Sequence, residues 1–271
     1  MNGLCAALRL WRAMASGFCF LVFGVGALAL SLTAFPLLTL TAADPATARA
    51  RVQRTIHGGC AVFLGLMRLL GLIRWELHGG QALAAGPGPQ GRLIIANHPS
   101  LIDAVFLLAW LPQADCIVKQ ALLENPFLRR AVRCAGYLGN ADPDALVAQC
   151  AAALRSGRTL IVFPEGTRSV PGRPLRLQRG AARIALAAGV PILPVQIRCE
   201  PLVLSKRMKW YQMGDRPAHF RFDVLTPLPP PTRRAGESEA LAARRLTRTF
   251  ERLLAAAPLA PPAAAAGYAL P

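Results

Sequence analysis

The sequence predicts an α/β layer fold preceded by an N-terminal membrane helix, and three patterns carry that expectation. Short apolar runs alternate with helical patterns from Arg92 to about Val224. Polar motifs follow two of those runs directly, and residues 14–40 contain no charged side chain. Strands that alternate with helices imply a sheet covered on both faces. The 271-residue chain is 54% hydrophobic with a positive mean hydropathy, which is high for an ordinary soluble domain.

Taken in order, residues 14–40 exceed the roughly 20 residues needed to cross a bilayer core. Arg9 and Arg12 precede this run as they would in a signal peptide, but the run is longer than a usual signal core. An uncleaved anchor over residues 1–42 is the expectation. Arg49, Arg51 and Arg54 follow it, and this slight excess places the bulk of the chain on the cytoplasmic face, in a bacterium at the inner membrane. Residues 58–73 form a second apolar segment, interrupted by Arg68. It reads as a helix in the interface with Arg68 snorkelling, or equally as a core helix packed on the next domain, within a membrane-associated region 43–80.

A turn-rich linker, residues 81–91, opens a catalytic domain expected over 81–230. Within it RLIIA (92–96), TLIVF (159–163) and VPILPVQIRC (190–199) read as buried strands. ALVAQCAAALRSG (145–157) reads as a helix closed by Gly157, and GAARIALAAG (180–189) as one ending at Gly189. A basic amphipathic helix is expected over 231–254, its pattern beginning at Ser238, and a disordered Ala/Pro tail over 255–271.

The chain carries 31 Lys and Arg against 14 Asp and Glu, a formal charge of +17. With high apolarity, that charge suits an anionic membrane surface and makes membrane lipids the expected partners. It does not suit nucleic acid, for which aromatics at 7% of the chain offer little base stacking. Seven scattered cysteines form no C-x-x-C pair, so reduced thiols are expected rather than zinc or a disulfide framework. His57, His78 and His219 show no ligand spacing, and no metal is expected.

The chemistry lies in two strand-end motifs. Asn97-His98-Pro99-Ser100-Leu101-Ile102-Asp103 follows the strand at 92–96 and precedes the apolar helix AVFLLAWL. Pro99 biases His98 toward an extended conformation and suits the first helical position, with Ser100 inside the helix start. Asp103, early in the helix, leans back toward the imidazole, fixing its tautomer and leaving the other nitrogen basic. This is the arrangement of a general base for a hydroxyl. The second motif, Phe163-Pro164-Glu165-Gly166-Thr167-Arg168-Ser169, follows the strand at 159–163 with a Pro/Gly turn. Glu165 and Arg168 then stand at the carboxyl edge of the sheet, where α/β proteins bind ligands. Arg168 offers a planar fork for phosphate and Glu165 an acceptor for substrate hydroxyls. Backbone N–H groups at Gly166–Thr167 or at the helix start are candidate oxyanion donors.

The two motifs resemble the first and third blocks of the lysophosphatidic acid acyltransferase type of glycerolipid acyltransferase, whose hallmark is His-x4-Asp. Val190-Pro191-Ile192-Leu193-Pro194-Val195 is similar to the fourth block, and Lys119 and the Arg179-Gly180-Ala181 turn fall where that family carries basic and small residues. The resemblance covers roughly Trp75 to Arg198. It implies an αβα sandwich around a mixed sheet, His98 as base, Asp103 as its orienter, and acyl-CoA or acyl carrier protein as co-substrate without a further cofactor. Asn97, Lys119, Glu165, Gly166, Thr167 and Arg168 are the implied substrate contacts. The second block departs: Gly136-Tyr137-Leu138-Gly139-Asn140-Ala141-Asp142 has no Arg after the Asp, although Arg129, Arg130 and Arg133 lie upstream. The acceptor thus reads as a lysophospholipid or as a lipid without a phosphomonoester.

Ser100 sits on no nucleophile elbow and no G-x-S-x-G occurs, so no covalent acyl-enzyme is expected. Two other classes share these features. A thioester hydrolase would activate water with the same pair, and a lipid-binding scaffold would explain the anchor and charge but not two polar motifs ending buried strands.

Overall fold

The computed structural model describes residues 2–86, 88–124, 129–170 and 172–255. The expected Ala/Pro tail beyond Ala255 lies outside them.

The chain opens with helices α1 (Asn2–Leu32) and α2 (Ala34–Leu40), separated at Thr33. Pro36 cannot accept helical packing against the preceding turn without strain, which accounts for the break just before it. Helix α3 (Pro45–Leu69) returns antiparallel, started by Asp44, whose carboxylate accepts from the N–H groups of Ala46 and Thr47, with Pro45 in the first helical position. Strand β1 (Ile73–His78), helix α4 (Gly80–Ala84) and strand β2 (Arg92–Ala96) follow. Then come α5 (Asp103–Trp110), β3 (Asp115–Val118), α6 (Gln120–Glu124), α7 (Arg129–Cys134), β4 (Leu138–Gly139) and α8 (Pro143–Arg155). The chain closes with β5 (Thr159–Val162), α9 (Gly180–Ala188), β6 (Ile192–Glu200), β7 (Ala218–Val224) and α10 (Glu239–Ala255).

Seven strands form one sheet in the order β1-β7-β6-β2-β5-β3-β4. Strands β6, β2, β5, β3 and β4 run parallel, whereas β7 pairs antiparallel with β6 and carries β1 parallel to itself. The sheet is therefore mixed, as expected. Strand β2 is buried along its whole length, and its side chains alternate between two cores. Ile94 and Ala96 face a cluster with residues of α1, α3 and α5; Leu93 and Ile95 face one with residues of α8, α9 and α10. Period-2 alternation in a strand covered on both faces gives the αβα sandwich.

The predicted strands and helices at 92–96, 145–157, 159–163, 180–189 and 190–199 are all present within about two residues of their expected ends. Gly157 and Gly189 take positive φ of 84° and 64° just past their helices. Two differences matter. The sheet begins with β1, upstream of the domain boundary expected at residue 81. Helix α5 begins at Asp103, so Pro99 and Ser100 form a turn ahead of the helix rather than its first turn.

Residues 58–73 are mostly the second half of α3. That helix buries Val52, Gln53, Cys60, Phe63, Leu64 and Met67, while Val62 and Leu69 stay exposed and the Arg68 guanidinium lies 4.8 Å from the Trp75 ring centroid. The Gln53 amide donates to Asp115 and to the Ala135 carbonyl, tying α3 to β3 and α7. Cys5–Leu40 is the one stretch among the described residues that is long and apolar enough to cross a membrane. Its outward side chains include exposed Trp11, Met14, Phe18, Leu21, Val25 and Leu37. Its inward side packs on α3, and its ends meet the domain through an Arg9–Asp215 ion pair and through Phe35 beside Val52 and Ala135.

Candidate active site

Because β2, β5, β3, β4 and β6 run parallel, the segments that follow them leave from one edge of the sheet. That edge carries Asn97 and His98 after β2, Phe163–Ser169 after β5, Lys119 after β3 and Asn140 after β4.

His98 turns its Nδ1 to Asp103 Oδ2 at 3.0 Å, and the same oxygen accepts the Ser100 N–H at 2.7 Å. The carboxylate has no exposure, whereas the imidazole side chain keeps 18%. Burial pushes the Asp103 carboxyl up to about 6; the His98 contact and the Ser100 N–H pull it back, and nearby Glu165 adds to the rise. An anion acceptor at Nδ1 places the proton there and leaves Nε2, at the opposite edge of the ring, as the basic nitrogen. Asp103 Oδ1 and Ser100 Oγ are buried without a hydrogen-bond partner among the described residues.

The third-block motif holds His98 from three other directions. Glu165 Oε1 accepts the His98 N–H at 2.8 Å, the Ser169 N–H donates to the His98 carbonyl at 2.7 Å, and the Phe163 ring stacks on the imidazole at 4.3 Å between centroids and 25° between planes. Glu165 Oε1 also accepts from Ser169 Oγ at 2.8 Å, which locks the turn onto itself. Gly166 has φ +68°, a conformation costly for side-chain-bearing residues, and this sharp turn brings Ser169 back to His98. The sequence reading gives no role to Phe163 or Ser169. The four-residue spacing from Glu165 to Ser169 is the one local signal that could have suggested their pairing.

Several expected substrate contacts have other partners. Asn97 spends both ends of its amide on Ile197, donating to its carbonyl and accepting its N–H, each at 2.7 Å. Its visible role is to fasten the end of β2 to β6. Arg168 Nη1 donates to the carbonyls of Leu204 and Ser205 at 2.8 and 3.1 Å, so part of the fork expected for phosphate secures the segment after β6. Of the candidate oxyanion donors, the Gly166 N–H donates to Phe163, the Leu101 N–H to Leu204, the Ser100 N–H to Asp103 Oδ2 and the Asp103 N–H to Ser100. Half-buried Thr167 and exposed Lys119 stand at the same edge as His98. In the departing second block, Asp142 accepts from the N–H groups of Asp144 and Ala145 and starts α8, with Pro143 in the first helical position. The position after the Asp therefore serves a helix start. Arg129, Arg130 and Arg133 are exposed on α7.

The model of the acyltransferase family matches residues 75–198, a span that runs from within β1 to within β6 and contains both motifs. Residues 75–198 belong to the acyltransferase family. Relatives of this segment include the 1-acyl-sn-glycerol-3-phosphate acyltransferase of Pseudomonas aeruginosa, 28% identical over 153 residues that cover 54% of this chain and 58% of that one. The protein of the same name from Helicobacter pylori is 34% identical over 125 residues, covering 44% and 50%. The chain thus spans about half the length of the curated relatives it matches. The crystal structure of the 1-acyl-sn-glycerophosphate (LPA) acyltransferase of Thermotoga maritima superposes with a TM-score of 0.66 at 22% identity, covering 91% of this chain and 96% of that one. At that identity the likeness is one of fold, and it extends beyond the acyltransferase segment to the N-terminal helices.

Proposed function

We propose that this chain is a membrane-bound O-acyltransferase that moves a fatty acyl group from a thioester, acyl-CoA or acyl carrier protein, to the hydroxyl of a lysophospholipid of the 1-acylglycerol-3-phosphate kind. The observation that carries this reading is the His98–Asp103 pair at the carboxyl edge, gripped by Phe163, Glu165 and Ser169. His98 Nε2 takes the acceptor's hydroxyl proton as that oxygen attacks the thioester carbonyl. The C–O bond forms, the C–S bond breaks, and the proton passes from the imidazolium to the departing thiolate. Asp103 stabilises the imidazolium, its buried charge acting at short range. A positioned base of this kind contributes about 10²–10⁴ in rate. Ser100 is wholly buried, so direct attack by the acceptor suits the site better than a serine-bound intermediate.

The exposed apolar side of α1 supports its reading as the membrane anchor. The α1–α2 stretch is fastened to the domain near both ends, through Arg9–Asp215 and through Phe35 beside Ala135. A leaflet that receives its outward apolar side therefore also lies next to the domain, with a lipid acceptor within reach of the sheet edge. The Arg49, Arg51 and Arg54 cluster that follows the anchor suits the anionic cytoplasmic leaflet, which supports a cytoplasmic placement at a bacterial inner membrane.

The test is purified full chain in bilayers given labelled acyl-CoA or acyl carrier protein, with and without 1-acylglycerol-3-phosphate. Diacylated product that forms only with acceptor supports transfer. Equal release of free fatty acid in both reactions would identify a hydrolase instead. A panel of lyso-lipids with and without a phosphomonoester then ranks the acceptors.

A further inference from the structure

Between β6 and β7 the chain makes a long excursion over residues 201–217, and its composition is unlike the rest of the domain surface. Residues 205–216 read SKRMKWYQMGDR. Lys206, Arg207, Lys209 and Arg216 are exposed, as are Trp210 at 51% and Tyr211 at 42%. The single acidic residue, Asp215, is already paired with Arg9 of α1. Aromatic rings standing out of a basic loop are costly in water and common at the head-group level of membranes.

The loop is built, not loose. Val203, Leu204 and Met213 are buried in the same core cluster as α1 and α3, and they hold its two ends. Within the loop the Met208 N–H donates to Ser205, the Gln212 N–H to Lys209, and the Lys209 N–H to the Gln212 side chain. Lys209 also places its ammonium 5.7 Å from the Tyr211 ring centroid. The tip is fastened to α1: Ser16 Oγ donates to the Trp210 carbonyl at 2.8 Å, and the Trp210 ring lies so close over Gly17 that a Cβ there would meet it at 2.9 Å. At the other end the loop meets the catalytic edge, where the Leu204 carbonyl accepts from the Leu101 N–H and from Arg168, and the Ser205 carbonyl from Arg168. Leu101, three residues from His98, is itself 45% exposed.

We propose that residues 205–216 form a second membrane contact, in which Lys206, Arg207 and Lys209 take the phosphates of anionic lipids while Trp210 and Tyr211 seat at head-group level. This rests on the reading of α1 as a membrane anchor. The charge is complementary to an anionic leaflet, and the patch is continuous with the outward apolar face of α1 through Trp210. Since the loop also holds Arg168 and Leu101, its seating on lipid fixes the catalytic edge at the depth where a lyso-lipid hydroxyl emerges.

The full chain in nanodiscs of phosphatidylcholine with and without phosphatidylglycerol tests this, with brominated acyl chains as quenchers of tryptophan. Comparing the parent with Trp210→Phe isolates the Trp210 signal, and comparing it with Trp11→Phe isolates the α1 signal. The proposal expects both to be quenched. It also expects Lys206→Glu/Arg207→Glu/Lys209→Glu to abolish the stimulation of acyl transfer by phosphatidylglycerol, an effect of about tenfold or more for three reversed charges. Turnover of a short-chain, water-soluble acceptor should be unchanged in that variant, which controls for misfolding. Quenching of Trp11 without quenching of Trp210 overturns the loop contact and leaves the anchor standing. If neither is quenched, the anchor reading fails. A triple variant that keeps its response to phosphatidylglycerol also overturns the proposal.

Discussion

Glu165 reaches from the end of β5 to the main chain of His98 at the end of β2, its Oε1 accepting the His98 N–H at 2.8 Å. The same oxygen accepts the Ser169 hydroxyl, and the Ser169 N–H closes the circuit on the His98 carbonyl. The carboxylate that the sequence offered as a substrate contact thus has a second, architectural duty: it joins two strand ends so that His98 faces its reaction in one orientation.

Removing that duty should cost catalysis more than binding. Glu165→Ala loses both hydrogen bonds and should lower kcat about 10- to 100-fold through misplacement of His98. Glu165→Gln keeps an acceptor oxygen and should retain most activity. Steady-state kinetics on both variants checks this, and a Gln variant as poor as Ala would mean that the charge itself acts on substrate.

Phe163 makes a parallel case. Phe163→Ala frees one face of the imidazole and should reduce kcat about tenfold, with Phe163→Tyr restoring it. A change confined to KM would place the ring against substrate instead of His98.

Asp103 sets the pH behaviour. Transfer requires its ionised form, so activity should fall as pH drops through about 6, well above the range of an ordinary carboxylate near 3.8. For stability the sign is opposite. A carboxyl raised in the folded state contributes stability that is complete below about pH 4 and is lost as pH rises through about 6. The Asp103→Asn protein should show a flatter stability profile between those values in denaturant titrations, together with a severe loss of transfer.

Asn97 should behave as a structural residue. Asn97→Ala leaves the Ile197 N–H and carbonyl without partners and should cost about 2 kcal/mol or more in chemical unfolding, with kcat per folded molecule nearly unchanged. Normal stability with a raised acceptor KM would return Asn97 to the binding site.

Arg168→Lys should speed hydrogen exchange at the Leu101 N–H, whose acceptor is the Leu204 carbonyl that Arg168 also holds. Unaltered exchange with weaker acceptor binding would mean that its guanidinium serves phosphate alone.

The central strands were legible because full burial on both faces leaves continuous apolar runs such as RLIIA and TLIVF, and the helices between them end on Gly157 and Gly189. Strands β1 and β7 were not legible. IRWELH and AHFRFDV carry charged residues toward partly open faces, and their pairing joins segments about 145 residues apart, from Ile73 to Ala218. In the site, the His98–Asp103 spacing announced its own hydrogen bond because both residues lie within one turn. The occupation of Asn97 by Ile197 and of Arg168 by Leu204 and Ser205 depends on the return of β6 and its following loop, which no local pattern encodes. The Asp142 cap was readable in retrospect from Pro143 beside it.

The most direct test of the account is His98→Ala in the full chain, reconstituted in bilayers with an acyl thioester and 1-acylglycerol-3-phosphate. The account predicts that transfer falls by about 10²–10⁴ while membrane association and the unfolding midpoint stay near those of the parent. Turnover within about twofold of the parent would contradict a general base at His98 and, with it, the central claim.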